Sequence, residues 1–184
     1  MTDILTKTDR KNFLGIPITG EIAEGSTRVE QISQEEFAAL VKPLLDHDNV
    51  HTFGWRQYTP YFNDGDVCEF GAHGFYLVTK DDIERYEDLK ENDPYMVEEV
   101  FEMTYAEHPT LGGRPHDWEG EWPNRELVYG AYEGPDEALW NAGRELAGTI
   151  DSGKADAVLL GLFGDHCSVQ VTKDKIEIEG YSHD

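Results

Sequence analysis

Hydrophobic residues recur at helical spacing from about residue 32 onward. Ser33 and Glu36 have the spacing of a capping box, in which each side chain binds a backbone N–H of the other residue. Ile32 and Phe37 flank this pair as a hydrophobic staple. The pattern predicts a helix beginning after Ser33, and Pro43 is expected to kink or shorten it because its ring clashes with the preceding turn.

The next segment alternates in the manner of two paired strands. Residues 50–62 and 67–78 are rich in aromatic and β-branched side chains, and the Asn-Asp-Gly-Asp sequence at 63–66 is typical of a turn. The pattern predicts a β-hairpin. Pro60 and Gly71 indicate an edge position or a bulge.

Further elements follow along the chain. Helices are predicted over 81–91, 93–106 and 135–150, with Asp93 as the N-cap and Pro94 as the first helical residue of the second. Strands are predicted at 14–19, 127–132, 157–163, 168–172 and 176–181. Residues 108–126 show no periodicity and are expected to form a long loop, which in a compact domain is often functional.

These elements predict an α+β fold. Its antiparallel sheet would carry three to four helices in a single domain spanning residues 31–184. Residues 1–30 are polar, and we expect them to form a loose N-terminal arm.

Composition restricts the classes of partner. The 184 residues include 38 acidic and 15 basic side chains, a net charge of -23. Direct binding to nucleic acid needs clustered Lys and Arg, and an anionic membrane surface would repel this chain. No apolar stretch is long enough to span a membrane, and the N-terminus lacks the apolar segment of a secretory signal. Two cysteines without a spacing motif fit a reducing cytosol, although a disulfide between them stays open.

The acidic residues are unevenly placed. Residues 80–107 carry 11 acids and three bases, and residues 116–137 carry seven acids and one base. Such segments suit a basic protein partner, or they imitate the phosphates of a DNA duplex, or they only solvate a helical face. The predicted contacts on the helices are those of Glu98, Glu99 and Glu102.

Two groups of residues resemble metal ligands. The long loop holds His116, Asp117, Glu119 and Glu121, with His108 nearby, and such a set suits zinc or manganese. The second group suits calcium or magnesium and consists of Asn63, Asp64, Asp66 and Glu69. Neither spacing matches a defined site; a solvated acidic loop and an ordinary hairpin turn are the favoured interpretations. We expect no cofactor.

Nucleophilic catalysis has little support in the sequence. Asp165, His166 and Cys167 are consecutive, but neighbouring residues in a strand point to opposite sides, and the acidic surroundings raise the pKa of a thiol. Cys68 is expected in the core. No nucleotide-binding or serine-hydrolase motif is present in the sequence.

The first predicted strand contains a dense aromatic run. We interpret it as sheet core rather than as a stacking platform for bases, because Arg56 is the only cation within it. An exposed protein-binding face is the alternative. The run consists of Phe53, Trp55, Tyr58, Tyr61 and Phe62.

Two segments resemble a group of uncharacterised proteins encoded by tailed bacteriophages, notably those of actinobacteria. They are WRQYTPYFNDGD at 55–66, and Gly-Asp-His at 164–166 followed by the acidic ending at 176–184. The resemblance implies a phage product acting in the host cytoplasm, and it carries no site residues.

The leading hypothesis is a non-enzymatic phage accessory protein that binds a basic host or defence protein. Trp118 and Trp122 would be its apolar anchors. The alternatives are a DNA mimic that inhibits a DNA-binding protein, a metal-dependent hydrolase using His116 and Asp117, and a structural component of the virion.

Overall fold

A computed structural model describes residues 29–62, 65, 68–104 and 107–181, together with the backbone of two short strands at Asn12–Phe13 (β1) and Ile16–Pro17 (β2). β1 and β2 pair with each other. The rest of the predicted arm, most of the predicted strand 14–19 and most of the turn at 63–66 lie outside the described residues.

Five α-helices and six further strands follow in the described part of the chain. The strands are β3 (Val50–Tyr58), β4 (Gly71–Thr79), β5 (His116–Glu119), β6 (Glu126–Tyr129), β7 (Cys167–Val171) and β8 (Ile176–Gly180). The helices are α1 (Gln34–Asp46), α2 (Ile83–Asn92), α3 (Tyr95–Phe101), α4 (Glu137–Asp151) and α5 (Asp156–Phe163).

Four strands form the main sheet, in the order β4-β3-β7-β8, and every neighbouring pair is antiparallel. Phe53 pairs with Leu77 on one side and with Val171 on the other. The predicted α+β fold with an antiparallel sheet and a β3–β4 hairpin is confirmed. β4 lies at one edge, and the register shifts between Gly54 and Arg56, in agreement with the predicted edge or bulge.

Helices cover both faces of the sheet. The larger core lies between the sheet and helices α1, α4 and α5, and it includes Phe53, Trp55 and Leu146. A smaller cluster joins the other face to α2 and α3 through Tyr76, Val78, Tyr86, Val97 and Phe101. Trp55 is buried on the larger side, where its indole donates a 2.9 Å hydrogen bond to Gln57.

The start of α1 follows the sequence prediction. The Ser33 hydroxyl accepts a hydrogen bond from the Glu36 backbone, and the Glu36 carboxylate accepts one from the Ser33 backbone, so the capping box is confirmed. The predicted shortening at Pro43 does not occur, since α1 continues to Asp46. Pro43 and Ala39 both lie on the exposed side of α1, where water can bond the carbonyl that Pro43 leaves free.

The strand predicted at 157–163 is wrong, because these residues form α5. A short apolar run has the same hydrophobicity in a buried strand and in a buried helix. Gly164 ends α5 with φ of 87°, a conformation that glycine adopts without a steric penalty.

The helix predicted at 93–106 is shorter than expected. α3 has Pro94 rather than Asp93 as its N-cap and ends at Phe101. Glu102 then bridges to Tyr76, and the Met103 N–H donates to the Phe75 carbonyl, so the chain joins the edge of β4 and cannot continue as a helix.

The structureless loop predicted at 108–126 is also wrong in part. Residues 116–119 and 126–129 pair as the antiparallel strands β5 and β6. The strand predicted at 127–132 corresponds to β6, which begins and ends earlier.

Candidate functional site

Strands β5 and β6 form a hairpin, hereafter the 116–129 hairpin, whose two faces differ in chemistry. Facing pairs on antiparallel strands lie on the same side, so the register assigns each residue to a face. The apolar face consists of His116, Trp118, Leu127 and Tyr129. The opposite face consists of Asp117, Glu119, Glu126 and Val128.

The tip of the hairpin carries a second tryptophan. The Asn124 N–H donates a 2.8 Å hydrogen bond to the Glu121 carbonyl, which closes a turn around Trp122 and the cis-linked Pro123. The Trp122 side chain is 86% exposed. The tip therefore presents a large aromatic surface to solvent.

The 116–129 hairpin projects from the body of the protein. Every residue from 115 to 131 is exposed, including Trp118 at 52%. The Arg125 guanidinium lies 5.8 Å from the centre of the Trp118 ring, which fixes one side of that ring.

The base of the hairpin is held firmly. Gly113 and Glu133 exchange backbone hydrogen bonds of 3.1 and 2.8 Å, and the Gly130 N–H donates to the Pro115 carbonyl. The Tyr132 hydroxyl donates to the Leu111 carbonyl, and its ring packs on Trp140. An exposed hairpin on a fixed base is a suitable surface for contacting another molecule.

The loop residues predicted as metal ligands are not brought together. His116 lies on the apolar face, beside Tyr129, whereas Asp117 and Glu119 lie on the opposite face. Within the described residues, no group of three or more His, Cys, Asp or Glu side chains is placed to hold a metal ion. Glu121 is exposed at the tip. The other candidate group, at 63–69, lies mostly outside the described residues.

His108 has a structural role in the core. Its Nε2 lies 2.7 Å from the Leu77 carbonyl, and its Nδ1 accepts a 3.2 Å hydrogen bond from the Leu111 N–H. These partners place the proton on Nε2. Burial lowers the pKa of His108. A neutral, doubly bonded imidazole supports the chain before the hairpin and has no ring nitrogen left for a metal.

The Asp165-His166-Cys167 sequence forms no nucleophilic site. Asp165 accepts two 2.8 Å hydrogen bonds from Thr59, and these with the His166 N–H lower its pKa overall against the opposing effect of burial. His166 stacks on Tyr61. Burial raises the pKa of Cys167, whose thiol donates to the Phe163 carbonyl, and Asp165 raises it further. Cys167 and Cys68 are both free thiols.

The three acidic residues predicted as helical contacts are placed differently from one another. Glu99 and Glu102 are exposed. The Glu98 side chain is only 19% exposed, and its Oε2 lies 2.5 Å from Nη2 of Arg56. Glu98 is therefore committed to an internal ion pair, and only Glu99 and Glu102 are available to a partner.

The aromatic run of the first strand divides at its end. Phe53 and Trp55 are buried, as predicted for sheet core, and Tyr58 is half-buried. The prediction is wrong for Tyr61 and Phe62, which are exposed after β3 ends at Tyr58.

Sequence reasoning missed Leu127 and Tyr129 as partners of Trp118. A signal was available, because Asp-Trp-Glu at 117–119 and Glu-Leu at 126–127 alternate on either side of Gly120 and Asn124. Two such short strands around turn residues are typical of a hairpin.

Comparison with protein-family models, with curated proteins and with solved structures found no match to this chain. Among the described helices, none combines the length and the apolar character that crossing a membrane requires.

Proposed function

We propose that this protein is a non-enzymatic binding protein whose 116–129 hairpin docks on a basic protein surface. One observation carries the proposal: Trp118 and Leu127 lie side by side and exposed on a hairpin whose opposite face is acidic. Large exposed apolar side chains are unfavourable in water, and tryptophan is enriched among residues that dominate binding energy.

Charge defines the partner. The hairpin carries Asp117, Glu119, Glu121 and Glu126 against Arg125 alone. Acidic residues around apolar anchors favour a partner with an apolar pocket rimmed by Lys or Arg, and they accelerate encounter at low salt. The resemblance to bacteriophage proteins supports a host or defence protein as the partner and the host cytoplasm as the location.

Crosslinking from the hairpin tests this proposal. A photoreactive benzoylphenylalanine replaces Trp122, and the control places it at Tyr95, which is equally aromatic and 82% exposed on α3. In nuclease-treated actinobacterial lysate, we expect one basic protein to crosslink from position 122 and not from position 95. Equal crosslinking from both positions, or none from 122, would overturn the proposal.

Alanine substitution supplies the quantitative test with the identified partner. We expect Trp118→Ala with Trp122→Ala to weaken binding by about 2 kcal/mol or more, whereas Tyr95→Ala leaves it unchanged. Binding should also weaken as salt is raised. An unchanged dissociation constant in the double variant would remove the hairpin from the interface.

DNA mimicry is the second candidate. The observation that favours it is an exposed row of acids on α2 and α3, comprising Glu84, Glu87, Asp88, Glu91 and Glu99. It requires that the partner bind DNA and that a duplex compete with this protein for it. Binding that survives saturating duplex DNA would leave the hairpin-docking proposal alone.

A further inference from the structure

A cavity of about 350 Å³ opens between the base of the 116–129 hairpin and helix α4. It is lined by Arg114, Tyr129, Trp140, Asn141, Arg144 and Glu145. Its size lies at the lower end of the range for small-molecule sites in proteins. It is separate from the exposed tip and from the acidic face of the hairpin.

The charge of this cavity opposes that of the whole chain. Two of the 15 basic residues line it, against a single carboxylate, in a protein with a net charge of -23. The Arg114 guanidinium lies 5.4 Å from the centre of the Trp140 ring, and its Nη2 is 3.7 Å from Glu137. Arg144 donates to the Met103 carbonyl. Both cations are thus positioned by the surrounding structure.

Trp140 supplies a separate indication of a ligand. It is 2% exposed, and its indole Nε1 is buried with no hydrogen-bond partner in the described part of the chain. The Nε of Arg114 is in the same situation. A buried donor without an acceptor is unfavourable, and indole and guanidinium groups can only donate. The missing group is therefore an acceptor.

We propose that this cavity binds a small monocarboxylate with a flat apolar body. The planar guanidinium of Arg114 matches the two oxygens of a carboxylate, and the Trp140 N–H would supply a further donor. Tyr129 and Trp140 provide aromatic walls for the body of the ligand. Glu145 leaves a single excess positive charge on the lining, which favours a monoanion over a phosphate dianion.

Titration of the full chain with benzoate tests the site directly. In ¹H–¹⁵N spectra we expect a saturable shift of the Trp140 indole N–H, while that of Trp55, already bonded to Gln57, stays in place. Acetate, which lacks the flat body, and inorganic phosphate are the comparison ligands. Absence of saturable benzoate binding at millimolar concentrations would overturn the proposal, and tighter binding of phosphate would overturn the carboxylate assignment.

Two variants then assign the donors by calorimetry. We expect Arg114→Gln and Trp140→Phe each to raise the dissociation constant for benzoate by roughly tenfold, which is the effect of losing one hydrogen bond to a charged group. The control Arg85→Gln removes a cation from α2, outside the cavity, and should bind as the wild type does. If Trp140→Phe does not fold, Arg114→Gln decides the matter, since unchanged affinity in that variant contradicts the proposal.

Discussion

Glu98 and Arg56 form an ion pair of 2.5 Å between α3 and β3, yet the pKa of Glu98 rises to about 6. Burial is the largest cause, and it outweighs the attraction and hydrogen bond of Arg56; Glu102 raises the pKa further. Removing a carboxylate from water is more unfavourable here than its pairing is favourable. This balance has consequences for stability that can be measured.

We predict that Glu98→Gln stabilises the protein above neutral pH. The folded-state pKa of about 6 exceeds the ordinary value of 4.5, so the contribution of Glu98 is greatest below about pH 4.5 and is lost as the pH rises through 6. At pH 7.5 the variant should be more stable by about 1–2 kcal/mol, because glutamine imitates the protonated form. Urea unfolding of both proteins between pH 4.5 and 8 measures the difference.

The matched control is Glu99→Gln, since Glu99 is exposed on the same helix. Its effect should stay within about 0.5 kcal/mol at each pH. A Glu98→Gln protein that is less stable than the wild type at pH 7.5 would mean that the pairing with Arg56 dominates.

His108 should show the opposite pH dependence. Burial lowers its pKa, so its stabilising contribution is complete above about pH 6.5 and is lost as the pH falls toward the folded-state pKa. We predict that the stability advantage of the wild type over His108→Gln shrinks by at most about 1.4 kcal/mol per pH unit below 6.5. Urea unfolding at pH 7.5, 6.0 and 5.0 measures it, with His116→Gln in the exposed hairpin as control. An advantage independent of pH would contradict a neutral buried imidazole.

Local signals in the sequence were sufficient for much of the fold. The capping box at Ser33 and the hairpin of β3 and β4 depend on contacts between near neighbours, which the sequence states directly. The helix at 156–163 was missed because an apolar run has no period that separates strand from helix, and packing against the sheet decided the outcome. α3 ends early for a similar reason, since Met103 bonds to a strand distant in sequence.

The candidate site was only half predictable. Trp118 and Trp122 were identified from their residue type, but their neighbours Leu127 and Tyr129 emerge only once the register of β5 and β6 is known. Glu98 looked like its exposed neighbour Glu99, because one-residue differences in helical phase decide burial. The pairing of Glu98 with Arg56 spans 42 positions of sequence, and no local pattern indicates it.

Gly54 permits a close approach in the centre of the sheet. A Cβ added there would lie 2.3 Å from the Val169 carbonyl oxygen and 2.8 Å from the Tyr76 hydroxyl. We predict that Gly54→Ala destabilises the protein by about 2–3 kcal/mol or more, because the obstructing backbone cannot move without disturbing β7. Gly180→Ala is the matched control, since nothing lies within 4 Å of its added Cβ. Thermal unfolding compares them, and equal midpoints would contradict the described strand spacing.

Excision of the hairpin should separate binding from folding. We predict that replacing residues 118–127 with Asn-Gly changes the free energy of unfolding by less than about 1 kcal/mol, because every residue from 115 to 131 is exposed. The bonds between Gly113 and Glu133 below the excised part should keep its base closed. The same variant should lose crosslinking to the basic partner while its urea unfolding remains cooperative. A strongly destabilised variant would show that the hairpin supports the core, and a stable variant that still binds the partner would place the docking surface elsewhere.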